Sequence, residues 1–176
     1  QGTVVAGVPV TITTPGVYCL TSDLDYAPAL GIAIRINSSN VVLDLNGHVL
    51  RSVGGGSTTA DGIYAGQRQN VTVKNGVVRG FRTGVVLDDL APYTTAQGYV
   101  VEGMRVDNST GTGIAVAGRA CIVRHNQVVA TGPGPQPVST GGITLCGAGA
   151  RVIDNDVNRV AKQGTAVSYG IFFCDA

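Results

Sequence analysis

Lys74, Glu102 and Arg124 each follow a valine and precede another by four residues, so this 176-residue chain puts charge repeatedly at one place in a recurring phrase. A base beside carboxylates can take a proton from a substrate, and clustered carboxylates can hold a hard cation. One carboxylate between two cations fits a self-neutralising surface column better. Paired carboxylates can instead act as acid and as base or nucleophile across a glycosidic bond. The candidates are Asp88 with Asp89 and Asp154 with Asp156. Neighbours on a strand diverge, and Asp88-Asp89 opens a loop. Asp154 and Asp156 flank Asn155, the expected bend residue, and read as turn formers. His48 and His125 also fall at bends. Neither has a second ligand at metal spacing, and no set of about four converging ligands is visible, so no metal is expected. As a binding surface, the sequence offers Lys74, Glu102, Arg105, Arg124, His125, Asp154 and Asp156.

The cysteines are Cys19, Cys121, Cys146 and Cys174, with no C-x-x-C spacing to signal redox or zinc chemistry. Cys121 lies two residues before Val123 and shares its inward face as a small buried hydrophobe. Cys146 and Cys174 each sit four residues after a glycine that starts a repeat. Stacked repeats would put their Cα atoms ~4.8 Å apart, within the ~4.4–6.8 Å that a disulfide accepts. Free stacked thiols are the alternative, as is a bridge from Cys174 to Cys19 of a second copy.

The elements that position these residues follow from an internal repeat. Glycine followed by alternating apolar residues recurs at Gly31-Ile32-Ala33-Ile34, Gly62-Ile63, Gly84-Val85, Gly113-Ile114, Gly142-Ile143 and Gly170-Ile171. A second phrase keeps valines five residues apart: Val73 and Val78, Val101 and Val106, Val123 and Val128, Val152 and Val157. Asn and Gly crowd its centre because a sharp bend needs a residue that tolerates a left-handed backbone. Leu43 to Val49 reads as an earlier, shorter-turned version. Two short strands and a bend cannot close a core alone, but stacked coils can. Val-rich, Gly-rich and helix-former-poor composition agrees with strands. The expected fold is a single all-β domain over 1–176, a right-handed parallel β-helix of about six to seven coils. Residues 1–30 form its N-terminal coil and 31–176 the repeating coils. Segments 51–61, 131–141 and 159–169 are expected to stack as a wall at one corner, with 88–98 projecting at the other.

In the phrases Asn40-Val41-Val42-Leu43-Asp44-Leu45-Asn46-Gly47-His48 and Asn70-Val71-Thr72-Val73-Lys74-Asn75-Gly76, with the Gly-Ile starts, the chain resembles β-helix proteins of the pectate-lyase-like superfamily. The resemblance covers about residues 12–176. It implies cleavage of acidic polysaccharides by a lyase or hydrolase, with calcium as cofactor only for the lyase chemistry. The longer catalytic signatures of such enzymes are missing, so the sequence leans away from catalysis and from any cofactor.

Twelve Lys and Arg against eleven Asp and Glu are scattered singly, which disfavours nucleic acid as a partner. No apolar run is long enough for a membrane-spanning helix. Lacking an initiator Met, the chain is expected to be processed and secreted, to the extracellular space or cell surface. Both ends read as uncapped apolar strands. The first expectation for function is therefore an extracellular filament built by head-to-tail stacking, with Val8, Val10 and Ile12 meeting Ile171, Phe172 and Phe173 of the next copy. The alternative is a carbohydrate-binding or carbohydrate-cleaving module for an acidic polysaccharide.

Overall fold

Equivalent residues of successive repeats lie side by side. Ile34, Ile63, Val85, Ile114, Ile143 and Ile171 form one continuous row of parallel partners, and Leu43, Val73, Val101, Val123 and Val152 form another. The computed structural model describes residues 2–132, 134, 139–162 and 164–174. Over these the chain is an all-β parallel solenoid of about six turns, with no helix.

One sheet has seven strands in the order Val10–Ile12, Ile32–Ile36, Asp61–Gly66, Thr83–Asp88, Thr112–Ala117, Thr140–Cys146 and Ser168–Cys174. We call it the flat sheet. The other has eleven strands and is bent along its length, its longest members being Val71–Arg79 and Val100–Asp107. Period-two alternation explains both. Isoleucines and valines at alternate positions face the interior, fully buried in the inner coils and only partly covered at Val152, Val157 and Ile171 of the last, while the residues between them face outward.

The bend in the second sheet is made by Asn75, Gly103, His125 and Asp154, all at φ between 49° and 61°. The left-handed residue of the last bend is thus Asp154 rather than Asn155. Asn155 turns inward, donating to the carbonyls of Val123 (2.8 Å) and Ile153 (3.0 Å) and accepting from the Asn126 backbone N–H (3.0 Å). Asn126 does the same one coil earlier, satisfying Val101 and Met104 at 2.9 Å each. Asparagine recurs here because its amide pairs the backbone groups that a bend frees.

Two register expectations are corrected. Ile32 stands beside Asp61 and Ile34 beside Ile63, so Ala33, not Gly31, occupies the place of Gly62. The two-residue shift keeps every side chain on its face. Likewise Leu43 pairs with Val73 and Leu50 with Val78, so the first bend is longer than its successors, not shorter. Asn46 and Gly47, both at positive φ, accommodate the extra residues.

The expected wall of insertions is interrupted. Segment 51–61 lies over 26–29 through Val53 N–H to Tyr26 O and Thr59 N–H to Ala29 O, whereas 131–141 meets 159–169 through Thr140 at the other end. Tight turns at 80–82 and 108–111 separate them. Residues 133, 135–138 and 163 of these segments lie outside the described ones.

At the N-terminal end, Thr3–Val5 pairs with Gly16–Leu20 and Val10–Ile12 with Ile32–Ile36. Val5 and Ile12 are buried, and Val8 and Val10 are half-buried against the core. At the other end, Ile171 and Phe172 are each 43% exposed and Phe173 55%.

Candidate functional site

The charged residues singled out by their repeat position do form columns on the bent sheet. Asp44, Lys74, Glu102 and Arg124 are successive partners. Lys74 pairs with Asp44 at 3.5 Å, and Arg124 Nε donates to Glu102 at 2.7 Å. Arg105 bridges to Asp107 at 3.3 Å and to the Gln127 amide, which itself donates to Asp156 at 3.3 Å. His125 lies 3.5 Å from Asp154. All seven are therefore on one surface, with their charges met by neighbours one coil or one bend away. Each pairing stabilises little, because water screens it.

Different chemistry gathers on the flat sheet. Arg35 and Tyr64 are outward partners in adjacent coils, and the Arg35 guanidinium lies over the Tyr64 ring, 5.1 Å from its centroid. Beside them the chain turns through Gly66, Gln67 and Arg68, and the 88–98 insertion rises from the next coil. Together with Asn37, Asp88, Asp89 and Leu90 these residues line a cleft of about 290 Å³.

Neither Arg35 nor Arg68 has a carboxylate within ion-pair distance among the described residues. The buried Nε of Arg68 has no hydrogen-bond partner at all. An orphaned donor of this kind costs stability unless something accepts from it. Asp88, by contrast, has its carboxyl pushed above the ordinary value, first by burial and further by the neighbouring Asp89 charge. No guanidinium offsets that rise, so the arginines are not committed to it.

The cleft is held from below. Tyr99 is fully buried, and its hydroxyl accepts from the Arg68 backbone N–H at 2.8 Å and donates to the Asp88 carbonyl at 3.3 Å. Burial pushes this phenol up to about 12. Asp89 clamps the insertion, accepting from the backbone N–H groups of Leu90, Thr95 and Ala96 at 2.9 Å each. The Asp88-Asp89 pair is therefore divided: Asp89 organises a loop, while Asp88 lines the cleft.

Sequence reasoning passed over Arg35, Tyr64 and Arg68, and weighed Asp88 only as a carboxylate paired with Asp89. The signal was available, since Arg35 and Tyr64 follow the row-forming Ile34 and Ile63, and the 88–98 insertion leaves the same corner as Gln67-Arg68.

Of the cysteines, Cys146 and Cys174 form a disulfide with a Cα separation of 4.7 Å. That removes the alternative of Cys174 bridging to Cys19 of another copy, because the register already places Cys146 beside it. Cys19 and Cys121 are free; Cys121 is buried and its thiol is pushed up to about 11 by that burial. Among the described residues no three His, Cys, Asp or Glu side chains converge as metal ligands, and no helix is long and apolar enough to cross a membrane.

No protein-family model, curated protein or solved structure matches the chain.

Proposed function

We propose that the protein binds an acidic saccharide in the cleft on its flat sheet. The observation that carries this reading is the pair of guanidinium groups, Arg35 and Arg68, left without carboxylate partners beside an aromatic ring, when the cations of the bent sheet's columns are paired. Arginine presents a planar fork of donors that matches a sugar carboxylate. Tyr64 offers an apolar ring face, and Asn37, Gln67 and Asp88 bring polar groups for hydroxyls. Kinship with pectate-lyase-like β-helix proteins and a secreted location belong to the same proposal, supported by the solenoid and by a disulfide, which persists best outside the reducing cytosol. Binding is the activity proposed, with no bond-breaking step.

Calorimetric titration with oligogalacturonide and oligoalginate at low salt tests it. Binding is expected, weakened at least tenfold in Arg35→Ala/Arg68→Ala and unchanged in Lys74→Ala/Arg124→Ala. Equal weakening in both double variants would transfer the site to the bent sheet.

A second reading is end-on stacking into filaments. It is favoured by Ile171, Phe172 and Phe173, which are exposed together on a strand whose outer edge is unpaired among the described residues. Negative-stain microscopy would find fibres that Phe173→Asp abolishes; dispersed particles at every concentration would remove this reading. Ile12 is buried at the opposite end, so the contact there would fall to Val8, Val10 and exposed Val4.

A further inference from the structure

Building on the reading of the cleft as an acidic-saccharide site, we propose that its ligand is a heteroglycan in which an acidic residue is followed by a neutral one. Asp88, Asp89 and Leu90 form the shared wall of two clefts with opposite linings. The first is the one already described, with Arg35 and Arg68. The second, of about 260 Å³, continues toward the next coils and is lined by Leu90, Ala91, Tyr93, Ala115, Ala117 and Thr144, among others. No Lys, Arg or His lines it.

That difference sets what each cleft accepts. A carboxylate in the second cleft would lose water without gaining a cation, which penalises the charged form, whereas in the first cleft Arg35 and Arg68 offset the same loss. A neutral ring meets Leu90, Ala115 and Tyr93 on its C–H face, with the Thr144 hydroxyl and Asp88 available to its own hydroxyls. Asp88 serves this cleft as an acceptor for sugar hydroxyls, its carboxyl lining both clefts.

The spacing follows from the solenoid. Arg35, Tyr64, Val86, Ala115 and Thr144 are outward partners in consecutive coils. From Tyr64 to Ala115 is two strand spacings, about 9.6 Å. A glycan running along the solenoid axis therefore passes from the cationic cleft to the neutral one as its residues advance. The floor narrows from Tyr64 to Val86 and Ala115, which leaves depth for a ring in the second cleft.

The experiment is calorimetric titration of the intact chain with four oligosaccharides. Two alternate acidic and neutral residues, one of glucuronate with N-acetylglucosamine and one of galacturonate with rhamnose; the third is oligogalacturonide and the fourth a neutral cello-oligosaccharide. At least one alternating ligand is expected to bind tenfold or more tightly than either uniform one. Ala115→Arg, at an exposed-face position, is expected to reverse the order by favouring oligogalacturonide, with unchanged circular dichroism showing that it folds. Equal affinity for oligogalacturonide and both alternating ligands, lost in Arg35→Ala/Arg68→Ala, would overturn the heteroglycan inference while leaving the acidic-saccharide reading standing. Absence of binding to all three acidic ligands would overturn both.

Discussion

Val78 closes onto the bare α-carbon of Gly62: a methyl group there would stand 2.8 Å from Val78 Cγ1 and 2.5 Å from the carbonyl oxygen of Gly84 in the next coil. The same relationship joins Gly84 to Val106, Gly113 to Val128 and Gly142 to Val157. The two repeated phrases of the sequence are thus two halves of one contact, with the valine of the bent sheet filling the space that glycine leaves in the flat one. Gly113→Ala is expected to cost about 1–3 kcal/mol, the usual range for overpacking a filled core. Gly56, with open space around its α-carbon, serves as the control, and Gly56→Ala is expected within about 0.5 kcal/mol of the parent. Urea midpoints at constant m-value measure both.

This contact also explains how much of the fold was readable. Two phrases that keep step with each other over intervals of 22 to 31 residues gave the coils and their parallel pairing, because each glycine must stay in step with its valine. Register at the first coil was misread for the same physical reason. Ala33 there takes the position that glycine holds elsewhere, so the nearest Gly-Ile, at Gly31, lay two residues away and kept the same alternation. The cleft was harder. Charge spacing drew attention to Lys74, Glu102 and Arg124, yet regular spacing of opposite charges is what a self-neutralising column requires. Arg35 and Arg68 stood out only once they were seen to converge on one cleft beside Tyr64 without carboxylate partners, and convergence across coils is not a property of local sequence.

Asp107 distinguishes the columns from one another. It is buried, and a single carboxylate oxygen accepts from Arg79 at 2.7 Å and Arg105 at 3.3 Å. Lys74 and Asp44, by comparison, are both partly exposed and 3.5 Å apart. Asp107→Ala is expected to destabilise by about 1–3 kcal/mol, since it removes charge-assisted hydrogen bonds from a site that water does not readily fill. Lys74→Ala should cost less than about 1 kcal/mol. Chemical denaturation at low and high salt separates them, and comparable losses would show that burial of Asp107 carries no extra weight.

The Cys146–Cys174 bridge ties the strand Ser168–Cys174 to its neighbour Thr140–Cys146 across 28 residues of chain. A closed loop of that size restricts the unfolded ensemble by about 3–4 kcal/mol in the chain-entropy treatment. Cys146→Ser/Cys174→Ser is therefore expected to lower the unfolding free energy by up to that amount. Hydrogen exchange should rise first in 168–174, whose Ile171 and Phe173 are covered on one side only. If exchange instead rose uniformly along the solenoid, the last coil would be unfolding together with the rest.

Tyr99 and Cys121 together give the protein an alkaline limit. They are buried neighbours in adjacent coils, Ile122 N–H donating to the Tyr99 carbonyl at 2.8 Å, and burial raises their folded-state values to about 12 and about 11. In the unfolded chain the thiol and phenol ionise near ~8.5 and ~10. Between these values the unfolded state has lost protons that the folded state keeps, so stability falls as pH rises. The contribution is complete below about pH 8.5 and is lost progressively as the pH climbs through 11 and 12. Unfolding free energy is expected to be flat in this term at pH 7–8 and to decline above about pH 9. Cys121→Ala should remove the first part of that decline, and Tyr99→Phe the later part. Tyr99→Phe should also loosen the cleft, because the hydroxyl that holds the backbone of Arg68 and Asp88 is gone. A slope in Cys121→Ala identical to the parent's between pH 9 and 10 would mean that some other group sets the limit.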